Sequence, residues 1–335
     1  MNILVTGGCG FIGTNFIYYM LQKHDHVLIN LDRLTYAGNP RNLLSVEQRY
    51  GGKRYFFEKG DICDPGRVSK ILNQYSIDVV VNFAAESHVD RSIAEPGRFI
   101  ESNIHGTYNL LEQSRHAEIK RFIQISTDEV YGSLGPQGFF TEASALAPNS
   151  PYAASKASAD LLCRSFHQTY NMPVIITRCS NNYGPFQFPE KLVPLTFLRA
   201  SEDRSVPVYG SGSNIRDWIY VSDHCRGIDM CLLKGKPGAI YNFGGDAECS
   251  NLEVIKKILD VMGKSHKLIK FIEDRPGHDL RYAMDYTRAR EELGFEPEIK
   301  FSEGLELTIN WYLKNQDWVE SIASGQYRNN PDTRN

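Results

Sequence analysis

The fold is decided by a stretch near the amino terminus, Asn2-Ile3-Leu4-Val5-Thr6-Gly7-Gly8-Cys9-Gly10-Phe11-Ile12-Gly13. It begins as a short apolar strand, and after it Phe16, Ile17, Met20 and Leu21 recur at helical spacing. A strand, a glycine-rich loop and a helix form the context that a dinucleotide-binding motif requires. The glycines allow a tight turn and let the backbone approach a pyrophosphate at the helix N-terminus. The stretch predicts a Rossmann-type α/β fold with a doubly wound parallel sheet; a tight turn without a ligand is the alternative.

The second predicted strand, residues 27–31, ends at a residue suited to ribose recognition. Asp32 lies roughly twenty residues beyond the last glycine of the loop, where a carboxylate can accept hydrogen bonds from the adenine ribose hydroxyls. The same carboxylate would repel a 2′-phosphate, so we expect NAD rather than NADP, and Arg33 beside it weakens this distinction slightly. Asp61 and Ile62 are expected to flank the adenine, with a turn-capping role for Asp61 as the alternative.

Alternating strands and helices continue to residues 174–178, which we predict to be the sixth strand of the sheet. Residues 216–221 and the helix that follows them are predicted to return to this sheet, and residues 240–245 form a late strand. Beyond residue 178 the chain is rich in loops and aromatic residues, which favours a smaller C-terminal substrate-binding lobe. The predicted division is a cofactor domain of residues 1–178 plus about 217–243, a nucleotide-sugar lobe of residues 179–216 plus 244–318, and a polar tail of residues 319–335.

The chemistry is predicted at the end of the central strand, where Thr127, Asp128 and Glu129 follow an apolar run. Further along, Tyr152 and Lys156 are four residues apart in a predicted helix, so their side chains share one face. We expect the ammonium to lower the pKa of Tyr152, which would let the phenol act as a base near neutral pH. The site would then hold a base for alcohol oxidation and two carboxyl groups available for another step.

Composition excludes several classes of function. The 335 residues carry a net charge of −3 with scattered basic residues, which offers no surface for nucleic acid or an anionic membrane. The seven cysteines form no CxxC pair and the nine histidines lack metal-ligand spacing, so no metal is expected. No signal peptide and no membrane span is predicted, and we expect a cytoplasmic protein.

Two long helical stretches, residues 96–115 and 152–170, carry apolar residues, some of which must pack on the sheet. Their remaining apolar surface could pack on the sheet or against a second copy of the chain, as the four-helix interface of a homodimer. The sequence leaves both arrangements open.

Together these motifs resemble the extended short-chain dehydrogenase/reductase superfamily and, within it, the dTDP-glucose 4,6-dehydratase family. The resemblance runs from the first residue to about Trp318, and Cys9 occupies a position where the family usually has alanine. It rests on the glycine loop, the Tyr152-x-x-x-Lys156 pair and the motifs at residues 32–39, 84–92, 126–132, 178–185 and 274–279.

The resemblance implies an NAD-dependent hydro-lyase of deoxysugar biosynthesis that converts dTDP-glucose to dTDP-4-keto-6-deoxyglucose and regenerates its cofactor. It implies that Tyr152 takes the proton from O4 during C4 oxidation, while Lys156 tunes the phenol and holds the nicotinamide ribose. Thr127 would hydrogen-bond the C4 ketone. Glu129 would remove the C5 proton, and a protonated Asp128 would release the C6 hydroxyl as water. Hydride would then return to C6.

The resemblance also implies two sets of binding residues. The residues expected to contact NAD are Gly7, Gly10, Phe11, Ile12, Gly13, Asp32, Arg33, Leu34, Thr35, Asp61, Ile62, Phe83, Ala84, Ala85, Glu86, Ser87, Ser102, Tyr152, Lys156 and Asn182. The residues expected to contact the nucleotide sugar are Ser87, Thr127, Asn181, Lys191, Leu192, Pro207, Val208, Tyr209, Arg216, Asn251, Asp274, Arg275, Pro276, Gly277 and His278.

Three alternatives stay open. A nucleotide-sugar 4-epimerase of the same fold needs the tyrosine, the lysine and NAD, but it has no use for the acid pair Asp128 and Glu129. A UDP-glucose 4,6-dehydratase differs only in the base of its substrate. A catalytically silent NAD-binding protein would not need all five reactive positions to be occupied.

Overall fold

The computed structural model describes residues 1–274 and 276–325. Its strands, in chain order, are β1 (Asn2–Thr6), β2 (Val27–Asp32), β3 (Tyr55–Lys59), β4 (Val79–Asn82), β5 (Arg121–Thr127), β6 (Val174–Cys179), β7 (Asn181–Tyr183), β8 (Val206–Tyr209), β9 (Ile215–Arg216), β10 (Trp218–Tyr220), β11 (Ile240–Phe243), β12 (Cys249–Ser250) and β13 (Ile269–Ile272). Its α-helices are α1 (Phe11–Lys23), α2 (Leu44–Tyr50), α3 (Pro65–Gln74), α4 (Val89–Ala94), α5 (Pro96–Phe99), α6 (Gly106–His116), α7 (Pro151–Tyr170), α8 (Leu192–Ser201), α9 (Val221–Lys234), α10 (Asn251–Val261), α11 (Thr287–Leu293), α12 (Phe301–Lys314) and α13 (Gln316–Ala323).

A seven-stranded sheet in the order β11-β6-β5-β4-β1-β2-β3 forms the centre of the molecule. Its neighbouring strands are parallel, and Ile3 of β1 lies opposite Leu28 of β2 on one side and Val79 of β4 on the other. The order of the strands reverses between β1 and β4. In open parallel sheets the crevice at such a point, beyond the carboxyl ends of the strands, is where ligands bind. The predicted Rossmann-type fold is confirmed.

Both faces of the sheet are covered by helices. Ile3 and Val5 of β1 belong to one apolar cluster with residues of α1 and α9, whereas Leu4 belongs to a second cluster with residues of α3, α6 and α7. Successive strand residues point to opposite faces, so an unbroken apolar run is what a strand between two helical layers requires.

The C-terminal lobe is built on two-stranded sheets, β10 with β7, β12 with β9, and β13 with β8. The prediction that residues 216–221 return to the main sheet is wrong for the strand, because β10 pairs in parallel with β7. The free edge beside β6 is instead occupied by the late strand β11. The helix after β10 does reach the main body, since Cys225 and Ile228 of α9 lie in the core against the sheet.

Helix α7 begins where its capping residues dictate. The Ser150 side chain accepts a hydrogen bond from the Ala153 N–H at 3.1 Å, and Pro151 occupies the first helical position. Both residues are typical of helix starts, because serine satisfies a free N–H group and proline has none to satisfy. Tyr152 is therefore held in the first turn of the helix, close to the ends of the strands.

The predicted helix over residues 96–115 is present, but its middle is not α-helical. Residues Ile100–His105 form a π-helical segment between α5 and α6. Within it the buried Asn103 accepts from the Glu86 N–H at 2.8 Å and donates to the Glu86 carbonyl at 2.9 Å and to Ser155 Oγ at 2.8 Å. Segments with this wider hydrogen bonding are frequent at functional sites. Here the segment ties the loop after β4 to helix α7.

The end of the described chain differs from the prediction. Residues 316–323 form helix α13, in which Val319 and Ile322 are buried, so the expected polar tail is wrong for residues 319–323. Val319 packs with Tyr312 of α12 in the apolar cluster of the C-terminal lobe, which explains why the chain continues as a helix. Residues 326–335 of the predicted tail lie outside the described residues. In residues 1–274 and 276–325, no helix combines the length and apolar character that crossing a bilayer demands.

Candidate active site

A cavity of about 770 Å³ lies at the carboxyl ends of the central strands. Gly7 and Asp32 line one end of it, and Glu129, Tyr152 and Lys156 line the other. A volume of this size is typical of sites for small molecules and cofactors. The glycine loop and the reactive residues predicted from sequence therefore face one continuous space.

The glycine loop is packed too tightly for larger residues. Gly7 has a φ of +68°, and a Cβ atom there would lie 2.8 Å from the Ala84 backbone. A Cβ atom on Gly13 would lie 2.5 Å from the Gly7 carbonyl oxygen. Helix α1 starts after Gly10 without a side-chain cap and without an acidic residue in its first turn. Its first N–H groups are therefore available to an anion such as a pyrophosphate, so the loop fits the predicted dinucleotide.

The Asp32 carboxylate is oriented by the backbone. It accepts from the Leu34 N–H at 2.7 Å and from the Cys9 N–H at 2.9 Å. Burial raises the pKa of Asp32, and these two hydrogen bonds oppose the rise. Arg33 forms an ion pair with Asp61 at 2.9 Å. Because Arg33 is engaged by Asp61, the charge next to Asp32 is compensated, and the predicted preference for NAD over NADP is strengthened.

Nearly all the residues predicted to contact NAD line the cavity, from the glycine loop and Asp32 to Ser102 and Asn182. Leu34 does not line it. This residue has a φ of +60°, and its side chain packs against the main apolar cluster. Its N–H group holds Asp32, so Leu34 contributes to the site through its backbone.

The predicted acid pair sits in a single 3₁₀ turn after β5. The Thr127 side chain accepts from the Glu129 N–H at 3.3 Å and donates to Asp128 Oδ1 at 3.0 Å. Gly132, with a φ of +85°, follows the turn. Thr127, Asp128 and Glu129 all line the cavity. The strand end and this capped turn thus place three functional groups on consecutive residues at the same wall.

Asp128 is poised to carry a proton. Burial first, and the neighbouring Glu129 carboxylate second, raise the pKa of Asp128 from an ordinary 3.8 to about 8. Its Oδ2 atom is buried and has no hydrogen-bond partner among residues 1–274 and 276–325. This agrees with the expectation that Asp128 is the carboxyl group of the pair that keeps its proton near neutral pH.

The expected effect of Lys156 on Tyr152 is wrong. Burial first, and the charge of Glu129 second, raise the pKa of Tyr152 well above its ordinary value. The Lys156 ammonium instead donates to the Ile125 carbonyl at 2.6 Å, and burial lowers the pKa of Lys156. The two side chains do share the cavity wall, but desolvation and nearby carboxyl groups raise the pKa of the phenol.

The residues predicted to bind the nucleotide sugar fall into separate groups. Ser87, Thr127, Asn181, Lys191 and Leu192 line the cavity, and the Lys191 ammonium donates to the Ser87 carbonyl at 2.7 Å. The others, apart from Arg275, do not line it. Arg275 lies outside the described residues.

Tyr209 belongs to a group of predicted residues that lies beside the cavity. Strand β8 ends at Tyr209, whose ring meets that of His278 at 6.3 Å and whose hydroxyl donates to Asp90 Oδ2 at 3.4 Å. His278 in turn bonds Asp274 at 2.6 Å. Since Arg91, the neighbour of Asp90, lines the cavity, this group lies near its rim. These contacts bring together the predicted residues of segments 207–209 and 274–278, except Arg275, which lies outside the described residues.

Arg216 belongs to another group of predicted residues, which lies near the acid pair Asp128 and Glu129. Its guanidinium donates to the carbonyls of Ile215 at 2.8 Å and Asp279 at 3.0 Å, and it lies over the Tyr282 ring at 4.3 Å. Its charge is close enough to lower the pKa of Asp128 against the effect of burial. The predicted residue Asn251 follows β12, which pairs with β9 at Arg216.

Some residues at the site were not predicted individually. Tyr36, Arg91 and Glu190 line the cavity. The Tyr36 hydroxyl donates to Glu190 Oε1 at 2.9 Å, and the Arg91 guanidinium lies 3.8 Å from the centre of the Tyr36 ring. Tyr36 and Arg91 fall inside two motifs on which the resemblance rests, which is a usable signal. Glu190 approaches them only through the fold, so its sequence position carried no such signal.

Comparison with known proteins adds independent findings. A model of the GDP-mannose 4,6 dehydratase family matches residues 4–308. The dTDP-glucose 4,6-dehydratase of Xanthomonas campestris pv. campestris (strain B100) is 49% identical, over 97% of this chain and 97% of that protein. The dTDP-glucose 4,6-dehydratase of Salmonella typhimurium is 46% identical, over 98% of this chain and 97% of that protein. The crystal structure of DesIV, a dTDP-glucose 4,6-dehydratase from Streptomyces venezuelae with NAD and TYD bound, superposes with a TM-score of 0.93 at 46% identity, covering 96% of this chain and 100% of that chain.

Proposed function

This chain belongs to the GDP-mannose 4,6 dehydratase family and, within it, to the dTDP-glucose 4,6-dehydratases, and we propose how its own residues carry out that reaction. It is a hydro-lyase that uses NAD to convert dTDP-glucose to dTDP-4-keto-6-deoxyglucose. The observation that carries the assignment of residues is the placement of a carboxyl group with a raised pKa, Asp128, in the same cavity as Glu129, Tyr152 and Lys156.

The first proposed step is the removal of the O4 proton by Tyr152. Bound NAD would supply a hydride acceptor for C4, a hydride donor for C6 and a positive charge in the cavity that lowers the pKa of the phenol. Lys156 would hold the nicotinamide ribose through its ammonium. The Thr127 hydroxyl, which donates to Asp128 Oδ1, would turn to donate instead to the C4 oxygen as negative charge develops there.

The next step is the loss of water across C5 and C6. The C4 ketone makes the C5 hydrogen acidic, because the carbanion left behind is delocalised into the carbonyl. Glu129 would take this proton, and Asp128 would give its proton to the departing C6 hydroxyl. Glu129 would return a proton to C5 when C6 accepts hydride. A carboxyl group with a pKa of about 8 is protonated at neutral pH and can act as this acid. An epimerase has no use for these two transfers, which is why the acid pair favours dehydration.

Different regions of the chain would hold the cofactor and the substrate. The glycine loop, Asp32 and the loop after β4 would hold NAD, including the backbone of Leu34. Lys191 and Arg216 would supply positive charge to the nucleotide diphosphate, with the residues of the β8 and β13 ends around it. The cofactor domain and nucleotide-sugar lobe would follow the predicted division, with β10 assigned to the lobe.

We further propose that the protein is a cytoplasmic homodimer. Ile100 and Leu161 are large apolar residues that are 57% and 55% exposed, on neighbouring helical segments whose other faces pack in the molecule. A second copy would cover these residues in a four-helix interface. All seven cysteines are free thiols, which suits a reducing compartment. A monomeric mass by light scattering would contradict the dimer, and recovery outside the cytoplasm on cell fractionation would contradict the location.

The function is tested by incubating the protein with dTDP-glucose and UDP-glucose in turn and measuring the 4-keto product by its absorbance in alkali. We expect product from dTDP-glucose; the same rate from UDP-glucose would place the chain among UDP-glucose 4,6-dehydratases. A 4-epimer without the keto product would support the epimerase. No turnover of either nucleotide sugar would support the silent NAD-binding protein.

The roles of the acid pair are tested with Asp128→Asn/Glu129→Gln. Loss of acid and base catalysis should lower product formation at least about 100-fold while NAD stays bound, and NADH should accumulate if oxidation proceeds alone. The matched control is Glu202→Gln/Asp203→Asn, another adjacent acid pair, whose side chains are 46% and 73% exposed. Normal product formation by the first variant would overturn the assignment.

A further inference from the structure

The side chain of Trp318, in the C-terminal helix α13, contacts a residue beside the glycine-rich loop. The indole Nε1 of Trp318 donates to Asn42 Oδ1 at 2.7 Å, although the two residues are 276 positions apart. We propose that Trp318 and Asn42 are positioning residues that hold the glycine-rich loop in the conformation that binds NAD. The inference rests on the proposed NAD site and goes beyond the residues that line it.

Asn42 connects the helix to the loop. This residue is 3% exposed, and its amide nitrogen donates to the Cys9 carbonyl at 3.2 Å and to Thr14 Oγ1 at 3.4 Å. Thr14 Oγ1 in turn donates to the Gly8 carbonyl at 3.1 Å. The carbonyls of two consecutive loop residues are therefore held, directly or through one hydroxyl, by a single buried amide.

The peptide units around Cys9 are restrained from the other side as well. The Cys9 N–H donates to Asp32 Oδ2 at 2.9 Å, and the Cys9 carbonyl also accepts from the Asn39 N–H at 3.0 Å. Cys9 lies between Gly8 and Gly10, where the backbone must approach a pyrophosphate closely. A shift of the Cys9 peptide would move both the loop and the carboxylate that faces the ribose.

Trp318 determines which way the Asn42 amide points. An indole N–H can only donate, so the Asn42 atom that faces it must be the oxygen. The amide nitrogen is then directed at the Cys9 carbonyl, which can only accept. Without the indole donor, the Asn42 oxygen loses this hydrogen bond and the amide is oriented by the contacts of its nitrogen with Cys9 and Thr14, both of which are longer than 3.1 Å. The amide is then held less firmly, and a buried acceptor is left without the Trp318 donor.

Aromatic packing holds the indole in place. The Trp318 ring lies 5.1 Å from that of Trp311 and 6.3 Å from that of Phe186. Phe186 stacks on Tyr18 of α1 at 5.8 Å, and the Tyr18 hydroxyl donates to the Asn42 carbonyl at 2.9 Å. The backbone and the side chain of Asn42 are thus both reached from this aromatic cluster, so α13 restrains α1 and the loop together.

The test compares Trp318→Phe with wild-type holoenzyme. The variant keeps an aromatic ring and loses the donor, and we expect bound NAD to exchange with radiolabelled NAD about two- to tenfold faster, the range of one hydrogen bond. Affinity for dTDP and turnover at saturating NAD should stay at the wild-type level. Trp311→Phe is the matched control, since it removes the same atoms from the same cluster and should leave NAD exchange unchanged.

A second variant, Asn42→Asp, keeps the acceptor for Trp318 but cannot donate to Cys9, and it should also speed NAD exchange. Equal exchange rates in wild type, Trp318→Phe and Asn42→Asp would overturn the inference. So would equal acceleration by Trp318→Phe and Trp311→Phe, because packing alone would then account for the effect. A wild-type protein that binds no NAD would overturn both the proposed function and this inference. If the wild type binds NAD, the variants test the positioning role alone.

Discussion

The region proposed to bind NAD, here called the cofactor half, and the region proposed to bind the nucleotide sugar, here called the nucleotide-sugar half, are assembled in different ways. In the region proposed to bind NAD, the close packing around Gly7 and Gly13 is set by the backbone of the loop itself and of Ala84, and the Trp318–Asn42 contact supports it from outside. In the other half, Arg216 and Tyr209 sit on short strands that pair with partners far along the chain, and Arg216 depends on carbonyls of neighbouring segments. A local site can be disrupted by one methyl group, whereas a site assembled from distant segments loses function gradually as single contacts are removed.

The largest effect is expected from Gly13→Ala, which tests the local character of the cofactor half. The added Cβ would lie 2.5 Å from the Gly7 carbonyl oxygen, a backbone atom that cannot move without opening the loop. Overpacking of this kind costs about 1–3 kcal/mol, so NAD should bind roughly 10- to 100-fold more weakly by calorimetry.

Gly66→Ala is the control for this change, because a Cβ there would meet its nearest atom at an ordinary 3.4 Å. It should bind NAD as the wild type does. Gly13→Ala protein with unchanged NAD affinity would show that the loop tolerates a side chain and would remove the basis of the comparison.

An intermediate effect is expected from Arg216→Lys in the nucleotide-sugar half. A lysine cannot keep both carbonyl contacts and the contact with the Tyr282 ring. We expect KM for dTDP-glucose to rise about tenfold, the size of one charge-assisted hydrogen bond, with the affinity for NAD unchanged.

Arg226→Lys is matched to this variant, since Arg226 also combines a backbone carbonyl with an aromatic ring, those of Glu296 and Phe295. Arg226→Lys should lower the free energy of unfolding and leave KM for dTDP-glucose unchanged. If Arg216→Lys weakened NAD and dTDP-glucose equally, the two halves would not be separable in the way described.

A test on stability rather than on binding concerns Asp128, which lines the cavity with residues of both proposed binding regions. Its pKa is raised from 3.8 to about 8 by burial and by Glu129, so between these values the folded protein binds a proton that the unfolded chain releases. The free energy of unfolding contributed by this group therefore falls as pH rises through that window, by about 1.4 kcal/mol per pH unit. Asp128→Asn removes this contribution.

The measurement is the difference in unfolding free energy between wild type and Asp128→Asn, from denaturant titrations at several pH values. The free energy of unfolding of the wild type, relative to that of Asp128→Asn, should fall as pH increases and level off above about pH 8. A difference that does not change with pH would mean that Asp128 is ionised in the folded protein, and the proposed acid would be lost.

Much of the cofactor half could be predicted from sequence because its determinants are close together in the chain. The glycine spacing, Asp32 at the end of β2, and the serine and proline that start α7 each act over a few residues. The partner of β10 could not be predicted in this way, since it depends on which strand occupies the sheet edge beside β6. The same holds for α13, whose burial is decided by packing against α12.

The reactive residues show the same limit at the level of chemistry. The position of the acid pair at one strand end was predicted from the residues, whereas the protonated state of Asp128 was implied by the family resemblance. The pKa of Tyr152 did not follow, because the helical spacing to Lys156 says nothing about burial or about the Ile125 carbonyl that receives the ammonium. Distances along a helix predict neighbours, but desolvation depends on the whole fold.

The π-helical segment Ile100–His105 has a consequence for how this chain can change in length. Each residue of an ordinary helix turns the chain by about 100°, so removing one residue here to restore regular winding would swing Asn103 away from Glu86 and Ser155. An insertion or deletion at this point would rotate Asn103 about the helix axis and so disturb its contacts beside the active site. The number of residues in this segment must therefore stay constant for the enzyme to work, even at positions where the side chain can change.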